Sequence, residues 1–241
     1  KKTLFVLVAS DKGLAGAFNT SIFKKFEQAL AEDEKKYPGG NSFLAVGEKS
    51  LQYLSKRGLS VVKKFTSVGD YTTTDQIQPL ADFLSEGYVK GDFDRVMVFS
   101  THFRSALKQD ALIREALPIS FESIQETVKE TIPDKGKFAE LIKEQQISFV
   151  PNKDTQQEYL IEPSAKEVLD DLVKHLFFMQ MYHLILEANA SEHAARRLAM
   201  KTASDNASDL GQNLNLQYNK SRQSAITNQI IEIIAGAESL N

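Results

Sequence analysis

The chain has 241 residues, 42% hydrophobic and 25% charged, with a formal net charge of -3, proportions ordinary for a soluble globular protein. That balance implies no general attraction to nucleic acid or to an anionic membrane. The absence of cysteine excludes a disulfide framework, a thiolate metal site and a thiol switch, and no run of 18 apolar residues is present to span a bilayer.

The opening Lys1-Lys2-Thr3-Leu4-Phe5-Val6-Leu7-Val8 is basic, then apolar, but too short for a signal peptide and without a small-residue cleavage pattern. It reads as a strand over 3–9, apolar at nearly every place and so buried on both faces. A chain that opens on a core strand is expected to be a fragment whose natural start lies upstream. Residues 10–19 turn, with Gly13 and Gly16, into a helix over about 20–34. Tyr37-Pro38-Gly39-Gly40-Asn41 is a loop. A short buried strand over 43–46 follows, then a helix through Leu51 and Leu54 that Gly58 ends. Residues 59–65 form a weaker strand. The stretch 70–88 supplies a helix with Ile77, Leu80, Phe83 and Leu84 inward, and Pro79 places its regular start near Asp75. Residues 95–100 are another buried strand. The alternation predicts an α/β, Rossmann-like, mostly parallel sheet with helices on both faces.

From 119 to about 152 the rhythm breaks: Glu and Lys are frequent, and Pro133-Asp134-Lys135-Gly136 is a turn. A short helix over 137–144 and an edge strand over 147–150 fit a surface insertion. Residues 157–161 return as a strand. The first domain is therefore 1–162 and the second 163–241, a single long C-terminal helix.

That helix is expected over 165–235. All six prolines precede it, and only Gly211 and Gly236 of the twelve glycines lie between Ser164 and the last residue. Ser164-Ala165-Lys166-Glu167 reads as a capping box, and Gly236 as a C′ stop. Its length would be roughly 100–110 Å, against about 40 Å for a compact first domain with a radius of gyration near 15 Å, so most of the rod is expected to leave the body. Its faces change along it. Leu169, Val173, Phe177, Met181 and Leu184 form a basal stripe, widened by Leu172, Leu176 and Phe178. Ala188, Ala195, Ala199, Ala203, Leu210 and Leu214 make a narrower seam suited to one partner helix at close range. Asn, Gln, Ser and Thr then supply eleven of the nineteen residues over 211–229, with only Lys220 and Arg222 charged. Ile230, Ile231, Ile233 and Ile234 lie all around the helix, and a helix apolar on every side is buried on every side. The tip is expected to sit in a sleeve made by other chains.

Motifs for chemistry are weak. Gly13-Leu14-Ala15-Gly16-Ala17-Phe18 sits where a dinucleotide fingerprint would, but as GxxGxx rather than GxGxxG it reads better as a glycine-dependent tight turn. No Walker A loop or GxSxG motif occurs. Of His102, His175, His183 and His193 none has metal-ligand spacing, and His183 with Glu187 reads as a surface i,i+4 pair. No catalytic, cofactor or metal residue is assigned.

Four stretches resemble the gamma subunit of F-type ATP synthases. They are Ser10-Asp11-Lys12-Gly13-Leu14-Ala15-Gly16-Ala17-Phe18-Asn19, Tyr159-Leu160-Ile161-Glu162-Pro163, residues 187–207 (EANASEHAARRLAMKTASDNA) and residues 218–240 (YNKSRQSAITNQIIEIIAGAESL). The likeness covers nearly the whole chain. It departs at Gln229, where the family's signature has an acid, at Ala15 and Ala17, often Cys and Gly in the family, and in the long insertion. It lacks the N-terminal helix that in the family pairs with the C-terminal one as an antiparallel coiled coil. The resemblance implies a non-catalytic central-stalk subunit without cofactors, coupling proton flow through a membrane ring to ATP synthesis or hydrolysis. It would be peripheral to a bacterial inner membrane on the cytoplasmic side. It implies alpha and beta subunits meeting Arg222, Gln223, Thr227, Glu192, Arg196, Ile230, Ile231, Ile233 and Ile234. The c ring would meet Tyr159, Ile161 and Glu162, and the epsilon subunit the α/β domain. The competing reading is a Rossmann-like oxidoreductase with a helical oligomerisation arm.

Overall fold

A computed structural model of the chain describes residues 1–68, 71–120 and 162–238. Its elements in chain order are β1 (Thr3–Val8), α1 (Phe18–Lys36), β2 (Asn41–Val46), α2 (Glu48–Lys56), β3 (Val61–Phe65), α3 (Thr74–Lys90), β4 (Arg95–Phe103), β5 (Gln109–Leu117) and α4 (Ala165–Glu238). The expected helix over 137–144 and the strands over 147–150 and 157–161 lie outside the described residues, as do Tyr159 and Ile161.

Among the described residues one five-stranded sheet runs in the order β3-β2-β1-β4-β5. The first four strands are mutually parallel and β5 is antiparallel to β4. β1 lies at the centre and every residue of it is buried, as an apolar run with covered faces requires. Leu4, Val6 and Val8 turn to one side, where α3 gives Ile77, Leu80 and Leu84 and α4 gives Phe177, Met181, Leu184, Ile185 and Ala188. Phe5 and Leu7 turn to the other, against Ile22 and Phe26 of α1 and Leu54 of α2. There Phe5 stacks between Phe43 and Phe99 at 5.9 and 5.6 Å, with Phe26 edge-on at 6.0 Å. Each such buried side chain contributes about 1.5–3 kcal/mol over an exposed one, so the central strand holds both layers.

The hairpin β4–β5 has no counterpart in the sequence reading. Its turn carries no Gly, Pro, Asn or Asp. Ser105 N–H instead bonds the Lys108 carbonyl at 2.9 Å, and Ser105 Oγ accepts from Lys108 N–H at 3.1 Å. β5 packs on both faces, Leu112 against one core and Ala111 and Ile113 against the other, which hides the period-2 signal. In α3, Pro79 stands inside a helix that starts at Thr74, within one residue of the expected place. The carbonyl it leaves without a donor, four residues back at Asp75, lies in an exposed first turn, where water serves. Gln76 Oε1 accepts from Thr73 N–H at 3.3 Å to cap that turn.

The long helix starts where expected: Ser164 Oγ accepts from Glu167 N–H at 3.2 Å. Gly236 does not stop it, since helical structure continues to Glu238. The basal stripe is also corrected. Phe177, Met181 and Leu184 are buried, whereas Leu169, Leu172, Val173 and Leu176 are exposed. Periodicity tells which face of a helix is apolar but not where along it a partner begins. Ala188 and Ala195, expected in a seam for another helix, pack instead on the chain's own two core clusters.

The chain divides into two compact units, Lys1–Ala195 and Arg196–Asn241. The first holds the sheet, α1, α2, α3 and the buried stretch of α4. In the second, every residue from 201 to 236 is exposed.

The glycine that the fold needs is not Gly13. Its φ is not positive and a Cβ there would meet nothing within 4 Å; in that turn Leu14 and Gly16 carry positive φ. Gly47, between β2 and α2, has φ +89, and a Cβ would lie 2.0 Å from the Ala9 carbonyl oxygen. Gly47→Ala is therefore expected to destabilise by about 3 kcal/mol or more, and Gly13→Ala by no more than about 0.5 kcal/mol, as read by urea denaturation.

Candidate functional site

Sequence gives no reacting centre, so the candidate site is α4 itself: how it is held, and what surface it presents. In the first unit it is held by polar contacts at the carboxyl ends of the strands. His102, near the end of β4, is buried, and its Nδ1 donates to Glu187 Oε2 at 2.9 Å. The other carboxylate oxygen pairs with Nε2 of His183, one turn back on α4, at 3.2 Å. Tyr182 Oη donates to the Thr72 carbonyl at 3.3 Å, and Asn189 Nδ2 donates to the Val68 carbonyl at 2.8 Å and also meets the Thr72 hydroxyl. Val68 and Thr72 belong to the connection after β3. One stretch of α4, residues 182–189, is thus fastened to segments from both sides of β1. Ser191, one turn beyond Glu187, is fully buried.

His183 and Glu187 are consequently not the surface pair that their spacing suggests. The Glu187 side chain is 14% exposed and His102 supplies a second partner from 85 residues away. Sequence cannot show that partner, because His102 comes from a strand and its neighbourhood is set by the sheet. Burial pushes the Glu187 carboxyl up, but the hydrogen bonds from His183 and His102 outweigh it and leave it below its ordinary range. Among the described residues no group of three or more His, Cys, Asp or Glu is placed to hold a metal ion.

The same arrangement bears on nucleotide binding. In an open parallel sheet a ligand enters at the carboxyl ends where the strand order reverses, here between β1 and β4. That place is taken by α4, through Glu187 on His102. Ala195 packs on the cluster that includes Ala15 of the turn after β1. The turn itself is closed by Asn19, which accepts from Ser10 N–H at 3.0 Å and donates to Ser10 Oγ at 2.7 Å. Asp11 Oδ1 accepts from Glu48 N–H at 3.0 Å. Its polar groups serve the turn and the start of α2, the arrangement of a tight turn rather than a phosphate cradle.

Of the residues singled out from sequence, Glu192 is buried at 4% exposure and Arg196 is partly buried. Arg222, Gln223 and Thr227 are exposed, Thr227 Oγ1 donating back to the Gln223 carbonyl at 2.9 Å. Ile230, Ile231, Ile233 and Ile234 are 51–71% exposed. Glu162 is exposed. The structure strings Arg222, Gln223, Thr227 and the four isoleucines along α4, while Glu162 precedes that helix. No helix among the described residues is long and apolar enough to cross a membrane.

Glu187→Gln removes an acceptor from one of two imidazole N–H groups and is expected to cost about 1–3 kcal/mol at neutral pH. The Glu187 pKa in the fold lies below its ordinary 4.5, so its contribution is complete above that value and is lost as pH falls through the folded pKa. The stability gap between parent and variant in urea should therefore shrink as pH falls below about 4.5.

Comparison with known proteins agrees with a helix built to be held rather than to react. A family model described as ATP synthase matches residues 1–240. The ATP synthase gamma chain of Chlorobium limicola is 34% identical over 242 residues, covering 100% of this chain and 74% of the relative. That of Geobacter metallireducens is 36% identical over 240 residues, with 100% and 74% covered. Among solved structures, a chain of the Euglena gracilis mitochondrial ATP synthase (OSCP/F1/c-ring) has a TM-score of 0.65 at 20% identity, over 99% of this chain and 73% of that one. One from the Tetrahymena thermophila central stalk and c ring has a TM-score of 0.58 at 22% identity, over 85% and 77%. With whole-chain matches at this identity, the chain belongs to the ATP synthase gamma-chain family, the non-catalytic rotor subunits of F-type ATP synthases.

Proposed function

We propose that this rotor subunit couples proton flow through a membrane ring to nucleotide chemistry on alpha and beta subunits, with α4 as the part that meets them. The observation that carries this is the change of surface along one unbroken helix. One apolar face is buried from Phe177 to Ala188, an exposed amide-rich surface with two charges covers 211–229, and four exposed isoleucines follow. At 3.6 residues per turn these four isoleucines cover an arc of about 160°, a broad face rather than the whole circumference, and such an exposed apolar face is stable in water only when another surface covers it. The alpha and beta subunits supply that sleeve, with Arg222, Gln223 and Thr227 meeting beta and Arg196 making polar contacts lower down; Glu192, 4% exposed, is not open to them. A surface of amides offers many weak, similar hydrogen bonds and few deep electrostatic minima, which suits a shaft that must leave each contact as readily as it makes it.

The α/β unit is the foot, meeting the epsilon subunit, while Tyr159, Ile161 and Glu162 meet the c ring. The complex lies on the cytoplasmic face of a bacterial inner membrane, a placement supported by the bacterial origin of the relatives.

Arg222→Ala is expected to weaken association with the alpha and beta subunits more than Lys220→Ala, since a guanidinium makes bidentate contacts with a carboxylate and a lysine is a mobile point charge. Equal losses in a pull-down would remove Arg222 from the contact. Ile230→Ser with Ile234→Ser should leave the denaturation midpoint of the chain alone within error, both side chains being exposed, yet reduce recovery of the assembled complex. Unchanged assembly would dispose of the sleeve.

A further inference from the structure

We infer that the polar contacts of Tyr182, Glu187 and Asn189 act as a register lock, making these three positioning residues that set the axial and rotational position of α4 on the sheet. The inference deepens the rotor reading and rests on it only for its functional consequence. The apolar stripe alone opposes a slip of register only in part. Consider a slip of one turn that carries Val173 to the place of Phe177. Phe177 then takes the place of Met181, Met181 that of Ile185 and Leu184 that of Ala188, while Gln180 and Lys174, replacing Leu184 and Phe178, are the polar newcomers. Such a slip keeps most of the buried area while moving the helix by about 6 Å along its axis and turning it by about 40°.

The polar contacts forbid it. In the slipped register Ile185 stands under the Val68 carbonyl in place of Asn189, and Phe178 under the Thr72 carbonyl in place of Tyr182. Neither has a donor to give. His183 faces His102 in place of Glu187, and the Glu187 carboxylate moves to the fully buried place of Ser191. Buried groups stripped of partners cost far more than the made bonds contribute, and one polar residue in an otherwise apolar seam is enough to choose a register. Three contacts to two different segments also fix rotation about the helix axis, which a single contact would leave free.

The absence of cysteine makes the test direct. Cysteines at Val89 on α3 and Met179 on α4, which are 85% and 45% exposed, take spin labels in the full chain. The parent is expected to give one narrow distance. With His102→Phe, Tyr182→Phe, Glu187→Leu and Asn189→Leu together, which keep the site apolar and packed, a second distance displaced by up to about 6 Å is expected. If that variant does not fold, Glu187→Gln with Asn189→Ala should broaden the distribution in the same direction. In vesicles carrying the assembled synthase, the same variant should lower protons pumped per ATP hydrolysed by about twofold or more. A single unshifted distance overturns the lock, and a shifted distance with an unchanged pumping ratio overturns its role in the rotor. Failure of the parent chain to support pumping at all would count against the proposed function instead, and the distances in the isolated chain would still decide the register.

Discussion

A carboxylate closed in by protein must keep its hydrogen-bond donors or give up its charge, and that requirement at Glu187 governs much of this molecule. Its donors come from β4 and from the preceding turn of α4, so the charge stays buried only while helix and sheet hold one relation. The neighbouring contacts of Tyr182 and Asn189 with the connection after β3 impose the same condition from the other side of the central strand. What would be a ligand crevice in a nucleotide-binding relative of this sheet is here the seat of a helix. The fold keeps the Rossmann topology and spends its most reactive location on mechanical attachment.

Much of this was legible in the sequence, and the parts that were not share a cause. The apolar runs of β1, β2 and β4 announce themselves because strands buried on both faces leave no room for polar residues. The long helix is equally plain, since prolines stop at Pro163 and the cap at Ser164 is local. Errors arose wherever a residue's surroundings come from distant segments. His183 and Glu187 look solvent-exposed until β4 delivers His102. Leu169 and Val173 look like core until the sheet proves to meet the helix only from Phe177. Gly13 and Gly47 are indistinguishable as letters, yet only Gly47 has a carbonyl oxygen pressed against it. The hairpin before β5 hides because a serine side chain does the work usually given to Gly or Asn. Gly236 shows the reverse, a strong local signal that the helix overrides.

The division of α4 between the two units separates two kinds of stability. From Phe177 to Ala195 its inner face is held by a core that includes strands far away in sequence. From 201 to 236 every described residue is exposed, and what remains there is helix propensity and the hydrogen bonds of the helix itself. Ala, Leu, Gln, Lys and Arg sustain that propensity, while the Asn and Ser of 211–229 lower it. A sequence shaped only for an isolated helix would have avoided them, so their presence reports a surface chosen for what it touches.

The scarcity of charge over 211–229 has a further consequence. Salt acts on protein contacts chiefly by screening fixed charges beyond a Debye length of about 8 Å at physiological ionic strength. Here it finds only Lys220 and Arg222 to act upon. Contacts made through amides, hydroxyls and isoleucines keep nearly the same strength whether the surrounding solution is dilute or concentrated. A cell that swells, dries or shifts its potassium content changes its ionic strength within minutes, and this stretch of helix is chemically deaf to the change.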